Sequence, residues 1–86
     1  MKYEVKWAEI ALKQLKKIGK PFDKQIVRKI EKIAENPFIF VKRLKGLPFY
    51  SLRVGDYRVI MSIDDKNFVV FVLEVGHRRK IYKKFS

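Results

Sequence analysis

LPFYSLRVGDYRVIMSI, residues Leu47 to Ile63, reads as a β-hairpin that carries charge where hairpins avoid it. Two runs rich in β-branched and aromatic residues, Phe49 to Val54 and Tyr57 to Ile63, flank the two-residue loop Gly55-Asp56. A glycine in the first loop position suits a type II′ turn, whose first central residue needs φ > 0. Such a turn sets Val54 opposite Tyr57, Arg53 opposite Arg58 and Leu52 opposite Val59. Alternation then puts Tyr50, Leu52, Val54, Tyr57, Val59, Met61 and Ile63 on one apolar face. Ser51, Arg53, Arg58, Ile60 and Ser62 take the other. Like charges directly opposite each other destabilise a sheet. The arginine pair therefore either splays into water or holds an anion between its guanidinium groups.

Working outward, Lys2 to Trp7 alternate as an edge strand, with Tyr3, Val5 and Trp7 on one side. Ala8, Ala11, Leu12, Leu15 and Ile18 then recur at helical spacing, with Lys13, Gln14, Lys16 and Lys17 opposite, until Gly19 stops the helix. Pro21 suits the first turn of a second helix, whose stripe is Phe22, Ile26, Val27, Ile30, Ile33 and Ala34, ending at Asn36-Pro37. The short link between them implies an antiparallel pair. Residues 38–48, FIFVKRLKGLP, read as a connector anchored by Phe38, Phe40, Leu44 and Leu47. After the hairpin, Asp64 to Asn67 is a turn, and Phe68 to Val75 is almost wholly apolar, as in a central strand covered on both faces. The order is β-α-α-β-β-β: an α+β fold of one domain, residues 1–86, with the helix pair on one face of a mainly antiparallel sheet. Sequence remains after Gly76 for a short helical tail.

The chain is small, so its core must be efficient: a domain of this size buries only about 60 to 65% of its unfolded surface. It has no cysteine, which removes disulfides and thiolate metal sites and suits a reducing cytoplasm. No segment reaches the length of a membrane span. Its 21 basic and 9 acidic residues give a net charge of +12, the signature of a polyanionic partner, nucleic acid first. The excess gathers at Lys42, Arg43, Lys45, Arg53 and Arg58, and again at Arg78, Arg79, Lys80, Lys83 and Lys84.

Metal catalysis finds few ligands, with His77 the sole histidine and Asp64-Asp65 placed in a turn. A serine hydrolase lacks its nucleophile elbow. Cationic and aromatic groups remain, and these suit RNA cleavage by its own 2′-hydroxyl. That reaction needs charge stabilisation on phosphorus and two proton transfers, but no protein nucleophile. Arginines meet the first need through planar contacts to phosphate oxygens. Tyr82, near Arg78 and Arg79, is a candidate for proton transfer, or else a core or interface aromatic. His77 fits a phosphate or base contact.

Leu44-Lys45-Gly46-Leu47, then Tyr50 to Arg58 (YSLRVGDYR), then Val75-Gly76-His77-Arg78-Arg79 with Tyr82 together resemble the RelE/ParE toxin superfamily, its RelE branch most. The resemblance spans nearly the whole chain. It implies a metal-independent endoribonuclease that needs no cofactor. Such a toxin of a type II toxin-antitoxin system enters the ribosomal A site, beside 16S rRNA, and cuts translated messenger RNA to leave a 2′,3′-cyclic phosphate. By position, Arg58 matches the transition-state arginine, Arg53 a basic residue of the preceding strand, Arg78 the arginine assigned to the leaving group, and Tyr82 the terminal tyrosine. Lys42, Arg43, Lys45, Ser51, His77, Arg79 and Lys80 are the expected RNA contacts. Two departures stand out: Ser51 occupies a position where lysine is expected, and Arg53 replaces another lysine. They leave the general base open between Tyr82 and a ribosomal or solvent group. The resemblance also implies an acidic RelB-like antitoxin in a hetero-oligomer. Two alternatives stand beside this reading: a ParE-like inhibitor of DNA gyrase, and a non-catalytic module that binds RNA or ribosomes through charge.

Overall fold

The structure is a computed structural model and describes residues 2–85. Strand β1 (Glu4–Trp7) leads into helices α1 (Glu9–Ile18) and α2 (Phe22–Ile33), followed by a 3-10 turn at Pro37–Ile39. Strands β2 (Lys42–Arg43), β3 (Tyr50–Val54), β4 (Tyr57–Asp64) and β5 (Val69–His77) come next, and helix α3 (Arg78–Phe85) follows directly. The five strands form one sheet in the order β1-β5-β4-β3-β2. Among the described residues only the β1–β5 pair is parallel. None of the described helices is long and apolar enough to cross a membrane.

The β3–β4 register is the one the turn dictates, with Leu52 opposite Val59, Arg53 opposite Arg58 and Val54 opposite Tyr57. Gly55 has φ +58°, the left-handed value the loop requires. Leu52, Val59 and Met61 are buried with Val70, Val72 and Val75 of β5, against Ala11, Ile26, Ile30 and Ile33 of the helix pair. That layer is the core. Gly19, at φ +71°, ends α1, and its N–H donates to the carbonyl of Leu15.

The structure corrects the sequence reading in three places. The connector contains a strand: Lys42 and Arg43 pair with Ser51 and Tyr50 as a two-residue charged edge, short and basic enough to discourage further pairing. The middle of the sheet is β4, while β5 lies between β4 and β1 and leaves Phe71 38% exposed. On α1, Leu12 is 49% exposed, whereas Gln14 turns toward the sheet. The reason is a backbone donor. Pairing of β1 with β5 ends at Trp7 opposite Val72, and beyond it the N–H of Val75 donates to the Gln14 side-chain oxygen at 2.7 Å. The helix pair shares one face as expected, and the C-terminal tail is a helix, α3, on the other.

Candidate active site

The arginine face of the hairpin is only partly open to water. Ser51 is 4% and Ile60 1% exposed, because Ile81 of α3, itself 5% exposed, lies over them. Gly76 of β5 is opposite Arg58, and a Cβ there would meet two Ile81 side-chain carbons at 3.2 Å. The missing side chain lets α3 approach the sheet. The Arg78 N–H donates to the Asp56 carbonyl at 2.8 Å, so the hairpin turn also anchors the start of α3.

Helical spacing sorts the rest of α3 by role. Ile81 and Phe85 face the sheet, and Phe85 meets Phe49 edge to face at 6.5 Å. Lys84 turns to the α1 side, where it donates to Glu74 at 2.7 Å. Arg78 and Tyr82, with Arg79 and Lys83, border a cleft of about 570 Å³ whose remaining wall is Arg58. A smaller hollow of about 90 Å³ beside it is lined by Leu44, Ser51, Ile60, Ile81 and Phe85, and shares Arg58 and Tyr82 with the cleft.

Arg58 is held from beneath, its Nη1 donating to the Ser51 hydroxyl at 3.2 Å. Its Nε is shielded from solvent and has no acceptor among the described residues. A buried donor left in that state costs about 1–3 kcal/mol. With Arg58, Arg78, Arg79 and Lys83 on its walls and Tyr82, 64% exposed, presenting its ring, the cleft can bind a phosphodiester and stack a base.

Three of the four expected catalytic residues, Arg58, Arg78 and Tyr82, meet in this cleft, and Arg79 joins them. Arg53 does not line it. Although opposite Arg58 in register, Arg53 is exposed and its Nε donates to the Gly55 carbonyl at 3.3 Å. Ser51, expected among the RNA contacts, is buried and supports Arg58 instead. His77 and Lys80 line a separate hollow toward α1; the His77 ring lies 6.0 Å from that of Tyr57, and its Nδ1 accepts from the Arg79 N–H. Lys42 is opposite Ser51 and so shares the arginine face, whereas Arg43, opposite Tyr50, shares the core face. Lys45 is exposed in the turn before β3. The sequence reading counted Lys83 in the basic tail but not among the expected site residues. Its signal was the spacing of four from Arg79, visible only if the basic tail is taken as a helix. Among the described residues no group of three His, Asp or Glu side chains could hold a metal ion.

Comparison with known proteins bears on the family and the fold. Residues 5–82 match the family model described as ParE toxin of type II toxin-antitoxin system, parDE. The mRNA interferase toxin RelE of Escherichia coli strain K12 is 34% identical over 83 residues, which are 93% of this chain and 87% of that protein. The E. coli toxin RelE in the free state, solved as a double arginine-to-alanine mutant, superposes with a TM-score of 0.81 at 32% identity, covering 99% of this chain and 95% of that one. The toxin-antitoxin complex RelBE2 of Mycobacterium tuberculosis contains a chain that superposes at 0.82 with 27% identity, covering 91% of this chain and all of that one.

Proposed function

Because the chain belongs to the ParE toxin family of type II toxin-antitoxin systems, we propose that it is a toxin of the RelE kind, an endoribonuclease that cuts messenger RNA on the ribosome. The observation that carries this reading is the cleft in which Arg58 from the sheet meets Arg78, Arg79 and Tyr82 from α3. Relatives called mRNA interferases support the chemistry.

In this reading the scissile phosphate sits against Arg58, whose guanidinium meets the charge that grows on the phosphoryl oxygens. The 2′-oxygen attacks phosphorus in line, the bond to the 5′-oxygen breaks, and a 2′,3′-cyclic phosphate remains. Arg78 stabilises the leaving oxygen, and Tyr82 stacks on a neighbouring base or takes the 2′ proton. Guanidinium charge fills the electrophilic role, so the reaction runs without a metal ion. With so few titratable groups in the cleft, the ribosome supplies the alignment of the message, and free RNA is cut poorly. This work belongs to the cytoplasm, where ribosomes translate.

The partner that restrains it is a RelB-like antitoxin. Solved complexes of similar toxins with RelB support this, and the basic surface favours an acidic chain. The ParE description of the family model favours a second reading, gyrase inhibition. Primer extension on a defined message in a purified translation reaction separates the two. Cuts inside the A-site codon, reduced about 10²–10³-fold in Arg58→Ala, support the nuclease. An intact message with inhibited DNA supercoiling supports the second reading.

A further inference from the structure

We propose that Glu74 is a positioning residue: it holds Lys84 and so fixes the roll of α3 that presents Arg78 and Tyr82 to the cleft. The inference rests on the nuclease reading above and names a contact that keeps its site aligned. An irregularity in the sheet aims this carboxylate. The β4–β5 register runs from Met61 opposite Val72 to Ile60 opposite Glu74, so Leu73 is passed over. Strict alternation from Val70 and Val72, both in the core, would turn residue 74 inward. With one residue extra, Val75 takes the core position, and Glu74 and Gly76 come to the face on which α3 lies.

Three elements then converge on one oxygen. Lys84 Nζ of α3 donates to Glu74 Oε1 at 2.7 Å, and Gln14 Nε2 of α1 donates to the same oxygen at 3.5 Å. The Gln14 amide is fixed in turn, because its own oxygen accepts from the Val75 N–H at 2.7 Å. The Glu74 side chain is only 14% exposed, whereas Glu9, which pairs with Lys13 within α1, is 84% exposed. Helix geometry makes the contact a control on roll. At 3.6 residues per turn, Lys84 lies about 60° to one side of Ile81, and Phe85 and Tyr82 lie about 40° and 100° to the other. Ile81, the buried residue of α3, is the pivot; Phe85 meets Phe49 on one flank and Lys84 meets Glu74 on the other. Reacting groups must be held to within about 10–20° of their productive orientation. Without Glu74 one flank is loose, and Tyr82 swings with the helix.

Charge alone and positioning predict opposite signs for Glu74. Removing an acid from a basic surface strengthens RNA binding and sustains the rate, while removing Lys84 weakens binding. Positioning requires both losses to slow the chemical step. Single-turnover cleavage of one A-site codon on translating ribosomes would be followed against toxin concentration for the wild type, Glu74→Met, Lys84→Met, the double variant, Lys84→Arg and Lys13→Met. The expected result is a maximal rate about three- to fivefold lower in Glu74→Met and in Lys84→Met, the upper end for a part-exposed pair, with the half-saturating concentration within about twofold of wild type. The double variant should be no slower than either single one, Lys84→Arg close to wild type, and Lys13→Met, which breaks the pair with Glu9, unchanged. A Glu74→Met rate at or above wild type, losses that multiply in the double variant, or a Lys13→Met loss equal to that of Lys84→Met overturns the proposal. Hydrogen exchange gives a readout independent of cleavage: protection of α3 should fall about two- to fivefold in Glu74→Met and Lys84→Met with β1 to β4 unchanged, and an unaltered α3 also overturns it. If the wild type leaves the message intact, the nuclease reading fails, and exchange still decides whether Glu74 holds α3.

Discussion

Replacing Ile81 with alanine is expected to release α3 while leaving the sheet folded. Ile81 is the one buried residue of α3 and lies against Gly76. Isoleucine-to-alanine changes at buried sites cost about 2–5 kcal/mol, of which about 2.4 is the transfer of the lost carbon groups. What remains to hold the helix is weaker: the Phe49–Phe85 edge contact, worth about 0.5–1.5 kcal/mol, and the partly exposed Lys84–Glu74 pair, worth at most about 1. An isolated helix of eight residues is not stable in water, so undocked α3 unravels. The main core, built from Leu52, Val59, Met61, Val70, Val72 and Val75 against α1 and α2, lies on the opposite face and does not include Ile81. Hydrogen exchange followed by mass spectrometry should show protection in α3 falling by about 30- to 1,000-fold, the equivalent of about 2–4 kcal/mol, with β4 and β5 within a few-fold of wild type. Cleavage should fall in parallel, since Arg78, Tyr82 and Lys83 leave with the helix. Equal loss of protection in β4 and β5 would refute the reasoning, as would an α3 that exchanges like wild type.

Ser51→Ala should lower the cleavage rate at saturating substrate by about 10- to 150-fold with little change in apparent affinity, because one hydrogen bond to a charged group, about 1.5–3 kcal/mol, orients Arg58; Ser51→Thr should restore most of the rate, and a loss of affinity instead would indicate a direct RNA contact. Binding of single-stranded RNA should weaken with salt at a log–log slope of about −3, from about −0.7 for each phosphate met by Arg58, Arg78, Arg79 and Lys83; a slope near zero would remove the electrostatic basis of the cleft. Asp64 accepts from the backbone N–H groups of Lys66 and Asn67 and from the Asn67 amide, and these bonds, that of the Asn67 side chain foremost, hold its carboxyl below the ordinary value of 3.8. A depressed carboxylate pKa stabilises the turn above the unfolded value, and the contribution fades as pH falls through the folded one. NMR titration should therefore show the Asn67 amide intact at pH 5 and loosening only below 3.8, with titration at or above that value counting against the turn.

The hairpin could be read from residues because its determinants are local: one glycine, one aspartate and strict alternation set the register that pairs Arg53 with Arg58. Gly19 likewise ends α1 through its own backbone. Gln14 could not be read this way, because its partner is a backbone N–H that is left free only where β1 stops pairing with β5. Nor could the division of labour among the basic residues. Arg53 and Arg58 are equivalent by alternation, and only the path of α3 after Gly76 decides that the second lines the cleft while the first faces solvent. Lys80 and Lys83 border different hollows, although a spacing of three puts them on neighbouring rows of α3. The resemblance supplied the roles of Arg58, Arg78 and Tyr82 without the contacts that support them.

The parallel pairing of β1 with β5, in which Glu4 lies beside Val69, bears on the order of events while the chain is being made. The β3–β4 hairpin can form as soon as it emerges, but β1 must wait unpaired until most of the sequence has been synthesised. The cleft is later still, because α3 docks on a β5 already in place and completes the site with its own side chains. Until α3 has emerged, a nascent chain therefore carries basic residues but no assembled cleft.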